Sequence, residues 1–394
     1  MTYKHIQSIL LIVGTAIGAG ILALPISTAS CGFWGALCAL FITWIFMSFA
    51  AFNMIQARLS FSGDVDLATM TTTLLGKTMN QVVQFTFLIL LMALISMYIT
   101  VGSKWIIELT QTYLGIKLTT LSAQIGFSFL LGAIIYSGLS NLARINQLIT
   151  GAKIFFLTML IVSAMPAVQK DYLISFEPQE IPNTLSMLLT TFGFSIILPS
   201  LAGYLNHNRQ SLYKVLAIGT IIILLAYVSW ELVAFGVIGT DGLMQIGTSQ
   251  DKGTGVINQL STLVTNDSFH KYSFGIMLTA VVTSFLGVGH SLFSYLKDAL
   301  PGRINHRKSM LAMAIGFLPP LLILQIYPAG IASILSFAGI FVAFILGIVP
   351  NLMVLSKPYQ DRMGPNSRLM LCAVLLSLLF FGYIISLEIV SRLF

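Results

Sequence analysis

GTAIGAG (Gly14–Gly20) lies within an apolar run that extends from Ile6 to about Ala29. Each of its three glycines weakens a helix by about 1 kcal/mol relative to alanine, and Pro25 removes one more backbone donor shortly afterwards. In a bilayer, backbone groups released from a helix must find other partners. The stretch therefore predicts a membrane-spanning helix that is interrupted near its middle, where protein or a water-filled cavity surrounds it.

Such an interruption has a chemical use. The freed amides and carbonyls, together with the ends of the two half-helices, suit a small charged ligand. A second interpretation is that Gly14, Gly18 and Ala19 are small only so that another helix can pack closely against them.

Composition defines the class of protein. Of 394 residues, 57% are hydrophobic and only 8% are charged, whereas a soluble domain carries about 25% charged residues. The chain is therefore expected to be a polytopic membrane protein embedded in a lipid bilayer. The net charge is +7, and the basic residues are scattered over loop ends. This distribution is typical of the positive-inside rule for membrane proteins and does not indicate a nucleic-acid partner.

Eleven apolar segments are long enough to span a bilayer. Thirteen of the twenty Lys and Arg residues fall on the side of the N-terminus and six on the other side, and Lys153 lies within a span. This asymmetry predicts a cytoplasmic N-terminus and an external C-terminus. The segments are approximately 6–29, 33–57, 81–105, 121–140, 146–166, 183–205, 212–236, 273–297, 309–326, 328–355 and 368–391.

A short amphipathic helix is expected in the loop between residues 60 and 80. Leu67, Met70 and Leu74 recur at helical spacing, and Asp66 precedes them as a candidate cap. The helix is predicted to lie on the cytoplasmic surface, and no chemistry is assigned to it.

A second amphipathic helix is expected in the external loop from Gly239 to Tyr272. Val256, Ile257 and Leu260 fall on one helical face, together with Leu263 and Val264. The helix either covers the external mouth of the bundle as a lid or rests on the lipid interface.

The sixth segment contains a second group of helix-weakening residues, TFGFS (Thr191–Ser195), followed by Pro199. The two breaks begin corresponding halves of the chain, at about 6–166 and 183–355, and 368–391 is an extra helix. Paired breaks at corresponding positions indicate a transporter built from inverted repeats, with its site at the midplane of the membrane. We therefore predict one transmembrane domain over residues 1–394.

Four motifs relate the chain to a known family. It resembles the hydroxy and aromatic amino acid permeases of the amino acid–polyamine–organocation superfamily, and their tyrosine-transporting members most of all. The resemblance implies the leucine-transporter fold of five plus five inverted helices, with helices 1 and 6 broken. It also implies proton-coupled import of aromatic amino acids, tyrosine above all, across a bacterial inner membrane. The motifs are GTAIGAGILALP (Gly14–Pro25), TTFGFSIILPSLAGYL (Thr190–Leu205), TSFLGVGHSLFSYL (Thr283–Leu296) and FLPPLLILQIYPAG (Phe317–Gly330).

The resemblance also implies how the amino-acid backbone is bound. The amides of Ala19 and Gly20 would receive the carboxylate at the N-terminus of the second half-helix. The Ala16 carbonyl and the Thr15 side chain would receive the ammonium group. The remaining positions carried over from the family's site are Gly18, Phe192, Gly193 and Ser195.

An aromatic substrate requires an apolar pocket with a polar group that can distinguish a phenol from a phenyl ring. Tyr98 and Phe194 are the candidates for this pocket or its gate. Because the chain contains 27 Phe and 13 Tyr, the alternative is that both are ordinary packing residues.

Ion coupling is assigned to Lys153. An intramembrane charge marks a functional site by default, and a lysine shielded from water can exchange a proton. The alternative is a lysine that extends to the cytoplasmic interface. The resemblance implies that Lys153 faces the position that holds sodium in other members of the fold. Sodium coupling therefore stays open at the same position, which is formed by the carbonyls of Gly14 and Ile17 and the hydroxyls of Thr283 and Ser284.

Two further ionisable residues lie within spans. Glu231 is expected to face the external interface rather than to carry a proton. His290 is expected to be a hydrogen-bonded packing residue, with titration as the alternative.

Two other classes of function are compatible with parts of the sequence. The first alternative is a transporter that is sodium-coupled or serves tryptophan or a neutral amino acid. The second is an amino acid receptor or channel, but no polar stripe of the kind that lines a pore is visible. The spans contain only isolated His, Asp, Glu and Cys residues, so we expect neither catalysis nor a cofactor.

Overall fold

The computed structural model describes residues 3–18, 20–248, 255–264, 268–302, 305–326 and 337–393. These residues form helices and connecting turns. The helices are α1 Tyr3–Ala16, α2 Gly20–Thr28, α3 Gly32–Leu59, α4 Leu67–Leu75, α5 Lys77–Leu114, α6 Thr120–Tyr136, α7 Leu139–Ala164, α8 Ile181–Thr191, α9 Leu198–Tyr204, α10 Arg209–Thr248, α11 Gly255–Leu263, α12 Ser268–Ala299, α13 His306–Ile326, α14 Ala338–Val342, α15 Val349–Leu355, α16 Lys357–Met363 and α17 Arg368–Leu393.

Within the described ranges, nine helical stretches are long and apolar enough to cross a membrane. This confirms a polytopic, all-helical membrane protein. The helix α6 is shorter, at 17 residues, and the first predicted segment is divided between α1 and α2. The number eleven therefore stays a prediction.

The bundle is organised around α1 and α12. The helix α1 packs against α7, α10 and α12, and α12 packs against α5 and α7. In α12, 89% of the most apolar stretch is buried, compared with 22% in α17. The central helix α12 thus buries most of its apolar surface against other helices, whereas α17 leaves an apolar face exposed to lipid.

The predicted surface helix is confirmed as α4. The Asp66 carboxylate accepts a hydrogen bond from the Leu67 amide at 2.8 Å, and the predicted apolar face is buried. Asp298, at the end of α12, accepts hydrogen bonds from the amide and the hydroxyl of Thr69, both at 2.7 Å. The helix α4 is therefore held against the bundle at the end predicted to be cytoplasmic.

The second amphipathic helix is described over α11, while residues 249–254 and 265–267 of the same loop lie outside the described ranges. Val256, Ile257 and Leu260 are buried, and α11 packs against α2 and α10. These contacts favour a cover over the bundle rather than a helix resting on lipid. A non-helical residue, Gly239 with φ 78°, turns the chain within α10 on the way to α11.

Asp66 provides a test of this end of the bundle. Replacing a capping Asp by Ala costs about 1 kcal/mol, whereas Asn also caps well. Asp66→Ala should therefore unfold at a lower temperature than Asp66→Asn in detergent. Equal unfolding temperatures for the two variants would contradict the capping role.

Burial raises the pKa of Asp66 to about 6, compared with about 3.9 in an unfolded chain. The folded protein then binds the proton more tightly, so the stability of the wild type should fall as pH rises between these two values. Asp66→Asn should lose this dependence. The matched control is Asp64→Asn, because the Asp64 side chain is 86% exposed, and this variant should keep the dependence.

Candidate functional site

Both predicted helix interruptions are confirmed. The helix α1 ends at Ala16, and α2 begins at Gly20. The helix α8 ends at Thr191, and a tighter 3₁₀ turn over Gly193–Ile197 precedes α9. Each interruption leaves carbonyl groups at the end of one half-helix without partners in that helix.

One side chain joins the two interruptions. The Tyr227 hydroxyl, on α10, lies 2.9 Å from the Ala16 carbonyl oxygen and 2.7 Å from the Thr191 carbonyl oxygen. Tyr227 is fully buried, and its ring meets that of Phe192 edge-on. A buried hydroxyl thus places its single proton between the two helix ends, within reach of either carbonyl oxygen. Sequence reasoning missed Tyr227, because a single tyrosine in an apolar run carries no motif.

A cavity of about 840 Å³ lies beside the two breaks. It is lined by residues of both breaks and by Tyr98, and also by charged residues in the C-terminal parts of α5 and α17. This arrangement provides room for a small organic molecule whose charged groups meet backbone dipoles. The lining residues are Thr15, Ala16, Gly18, Gly20, Ala23, Leu94, Met97, Tyr98, Val101, Lys104, Trp105, Glu108, Asn183, Ser186, Met187, Thr190, Thr191, Met277, Val281, Ala338, Gly339 and Glu388.

The glycines of the first break serve close packing as well as interruption. A Cβ atom at Gly18 would overlap the Ser284 hydroxyl, and one at Gly14 would come within 2.6 Å of the Thr150 hydroxyl. By contrast, a Cβ at Gly20 would meet only an ordinary contact at 3.7 Å, with Thr191. The two interpretations of the glycines therefore apply together: Gly14 and Gly18 let α1 approach its neighbours, and Gly20 borders the cavity.

The structure brings five of the predicted substrate residues to the cavity. They are Thr15, Ala16, Gly18, Gly20 and Tyr98. The Tyr98 hydroxyl lies beside Ser284, which places it close to the first break. Ala19 lies outside the described residues.

The predicted residues of the second break do not border this cavity. Phe192 and Phe194 are fully buried in the core, and neither they nor Gly193 are among the lining residues. Ser195 is also buried, and its hydroxyl has no hydrogen-bond partner among the described residues. The second break instead meets the cavity through Thr190 and Thr191. This difference arises because the 3₁₀ turn directs the Phe-Gly-Phe-Ser segment into the core.

The apolar wall of the cavity was also not predicted. Leu94, Met97 and Val101 of α5 face it together with Met277 and Val281 of α12. Their spacing of three or four residues is the available signal. In a chain with 17 Met and 57% hydrophobic residues, that spacing does not separate a pocket from lipid or core.

Lys153 lies beside the first break. It is fully buried on α7, which does not fit the alternative that it extends to the cytoplasmic interface. Its Nζ donates to the carbonyl oxygens of Gly14 at 3.0 Å and Ile17 at 2.5 Å, and to the Thr283 hydroxyl at 2.5 Å. An ammonium group has three donors, and all three are used.

The hydroxyls of Thr283 and Ser284, both on α12, make different contacts. The Thr283 hydroxyl donates a hydrogen bond to the Thr279 carbonyl oxygen at 2.8 Å and accepts one from Lys153. Ser284 donates to the Thr15 carbonyl at 3.5 Å. Ser284 therefore contacts the end of α1 directly, whereas Thr283 contacts the Lys153 ammonium group.

The two other intramembrane ionisable residues differ from expectation. Glu231 is fully buried and its Oε1 lies 3.0 Å from the Thr28 hydroxyl, so the prediction that it faces the interface is wrong. His290 borders a second cavity of about 320 Å³. Its Nδ1 has no hydrogen-bond partner in the described ranges, contrary to the expected hydrogen-bonded histidine.

Comparison with known proteins gives one family. The model of the tryptophan/tyrosine permease family matches residues 1–390. A tyrosine-specific transport system of Haemophilus influenzae is 28% identical over 89% of this chain and 88% of its own length. A tryptophan-specific transport protein of Pseudomonas aeruginosa is 28% identical over 90% and 86%. A glutamine transporter of Aliivibrio fischeri is 24% identical over 90% of each.

The Tyr227 bridge can be tested through stability. Tyr227→Phe keeps the ring but leaves two buried carbonyl oxygens without this donor, which should lower the free energy of unfolding by about 1–3 kcal/mol. Thermal unfolding in detergent would measure the change. Tyr295→Phe is the matched control, because the buried Tyr295 hydroxyl has no partner among the described residues. Equal melting temperatures for the two variants would contradict a structural role for the bridge.

Proposed function

Because this chain belongs to the tryptophan/tyrosine permease family, we propose that it is a secondary active transporter that imports aromatic amino acids, tyrosine first among them, by proton symport. The observation that carries the proposal is the juxtaposition of two helix breaks, an apolar-walled cavity and a buried lysine on the first break. We propose a single domain of eleven spans with a leucine-transporter-like inverted repeat. Its expected location is the bacterial inner membrane, with the N-terminus in the cytoplasm.

The repeat explains why both breaks border one region. Residues 6–166 would form the first five-helix unit and residues 183–355 the second, with 368–391 as the extra helix. The broken segments α1–α2 and α8–α9 then occupy the first place in each unit. In such proteins, the substrate binds where the discontinuous helices meet, and alternating access moves one set of helices around this point.

The polar groups of the substrate would bind at the break. The N-terminus of α2, at Ala19 and Gly20, presents a positive dipole end to the carboxylate. The C-terminal ends of α1 and α8 present carbonyl oxygens to the ammonium group. The Ala16 oxygen already accepts from the Gly18 amide at 2.7 Å and from Tyr227 at 2.9 Å, which fills its two lone pairs. The ammonium group would therefore replace one of these donors or use the neighbouring Thr191 carbonyl.

The aromatic ring would lie against the apolar wall formed by α5 and α12. Met97 and Met277 line this wall, and thioether sulfurs make favourable contacts with aromatic rings. Ser186 and Thr190 of α8 also border the cavity. These hydroxyls can meet a phenol or an indole N–H, which is the kind of group that separates polar aromatic side chains from phenylalanine.

Lys153 would couple transport to protons. Its ammonium group donates to the carbonyl of Gly14, in the last turn of α1, to that of Ile17, within the break, and to the Thr283 hydroxyl of α12. A neutral amine has one N–H fewer and so releases one of these three acceptors. Protonation thereby changes the hold on the end of α1 that borders the cavity. The same change would alter the affinity for substrate.

Three alternative functions are open to the same site. Sodium coupling at Gly14, Ile17, Thr283 and Ser284 would require Lys153 to leave its present position. A neutral amino acid is the second alternative, since the similar Aliivibrio protein is named a glutamine transporter. A receptor or channel is the third, and net accumulation against a gradient would separate it from a transporter.

Uptake into proteoliposomes tests the substrate and the driving ion together. Labelled tyrosine should accumulate under an inward proton gradient in sodium-free buffer, and unlabelled tryptophan should compete better than leucine or glutamine. Tyramine, which lacks the carboxylate, should not compete. Accumulation that requires sodium would overturn proton symport, and preferential competition by glutamine would overturn the aromatic substrate.

Lys153→Gln tests the coupling residue. The variant should lose accumulation against a gradient, because its side chain cannot gain or lose a proton, but should keep exchange of internal for external tyrosine. Lys271→Gln is the matched control, since Lys271 is an exposed lysine near the N-terminus of α12. Wild-type accumulation in folded Lys153→Gln protein would remove the coupling role.

A further inference from the structure

Glu231 is an acidic side chain that the proposed mechanism does not use. It lies on α10, one helical turn beyond Tyr227, and is fully buried. It is not among the residues that line either cavity described above. A carboxyl group in this position needs an explanation, because a buried charge is costly unless it is paired and hydrogen-bonded.

The partners of the carboxyl group do not balance a negative charge. Oε1 lies 3.0 Å from the Thr28 hydroxyl, and Oε2 has no hydrogen-bond partner among the described residues. Within the same residues, the ion pairs involve Asp64 rather than Glu231. The group thus has one neutral partner where an ionised carboxylate would need several.

The ionisable groups of the neighbouring elements do not change this picture. The helices α2 and α11 contain none, and the nearest is the thiol of Cys31, in the turn that follows α2. The remaining ionisable residues on elements packed against α10 are Tyr3, Lys4 and His5 of α1, Cys38 and Arg58 of α3, Arg144 and Lys153 of α7, and Lys170, Asp171 and Tyr172 of the exposed loop segment Lys170–Leu173. Lys153 is engaged at the first break, and Arg58 donates to Pro199 and Gly63.

The hydrogen-bond geometry fits a neutral acid. The Thr28 hydroxyl has one proton, and the Leu24 carbonyl oxygen lies 3.1 Å away as its acceptor within α2. If Thr28 donates to Leu24, the proton between Thr28 and Glu231 must come from the acid. A chain from Glu231 through Thr28 to Leu24 then satisfies every donor. An ionised Glu231 would compete with Leu24 for the single Thr28 proton.

We propose that Glu231 is a second proton-binding site of this transporter, occupied while α2 packs against α10 and emptied when the outer half of the broken helix moves away. This proposal rests on the proposed function, since it assumes that α2 moves during transport. Binding transfers a proton from water to the Glu231 carboxylate, and release returns it to water, with no other bond made or broken.

The location of Thr28 couples this site to the cavity. The helix α2 begins at Gly20, which borders the cavity, and ends at Thr28. The two positions are about 12 Å apart along the helix. In this proposal α2 moves as one unit, so a rotation that closes Gly20 on substrate also shifts Thr28 relative to Glu231. Substrate binding and protonation at Glu231 would thereby affect each other.

Infrared difference spectroscopy tests the protonation state without requiring transport. The carboxylic acid C=O band assigned to Glu231 should be present in the wild-type protein and missing in Glu231→Gln. Thr28→Val should shift the band, because the acid loses its hydrogen-bond partner. Glu177→Gln is the matched control, as Glu177 is exposed, and it should leave the band unchanged. A wild-type spectrum without a band sensitive to Glu231→Gln would overturn the site.

Reversal-potential measurements in proteoliposomes test the role in coupling. Glu231→Gln should transport with one proton fewer per substrate than the wild type, with accumulation reduced but not abolished. An unchanged stoichiometry, together with a Glu231 band in the spectrum, would overturn the coupling role and leave a structural acid. Failure of the wild-type protein to accumulate any amino acid would contradict the proposed function, whereas the infrared result would still stand on its own.

Discussion

Backbone groups inside a bilayer must have partners within the protein, and the rest of this structure depends on how the two helix breaks meet that requirement. Lys153 donates to the Gly14 and Ile17 carbonyls, and Tyr227 reaches those of Ala16 and Thr191. Water cannot supply these bonds in hydrocarbon. The breaks are therefore stable only where α7, α10 and α12 surround them, which explains why α1 and α12 occupy the centre of the bundle.

The same partners make the breaks responsive. A carbonyl held by a hydroxyl or an ammonium group can exchange that donor for another, such as the ammonium group of a substrate in the cavity. A carbonyl within a helix cannot do so without breaking the helix. The cavity beside Thr15, Gly18 and Tyr98 thus combines rigid apolar walls with a polar floor whose hydrogen bonds can be rearranged. Such a floor suits a site that must bind and then release its ligand.

Buried ionisable groups mark where proton chemistry is possible in this bundle. Lys153 donates to three neutral acceptors, so the hydrogen bonds of its charged form are satisfied, while the ion pairs among the described residues do not include it. Glu231 has one neutral partner, so its uncharged form fits. Lys153 lies on α7 and contacts α1, whereas Glu231 lies on α10 and contacts α2. The two residues thus contact the two halves of the first broken span. A change of protonation at either residue therefore acts on the same broken span.

The sequence by itself determined the class of protein, both helix breaks, the capped helix α4 and the position of Lys153 within a span. Hydropathy, glycine and proline effects and capping all act between residues that are close along the chain, so the sequence carries them directly. Only the tertiary structure decided that Tyr227 joins the breaks, that Phe194 points into the core, that Met97 and Met277 form the apolar wall and that Glu231 is buried. These outcomes depend on how each helix is rotated against partners that are far away in sequence. In a chain this uniformly apolar, hydropathy does not distinguish the faces of a helix, because lipid, core and cavity all accept the same side chains.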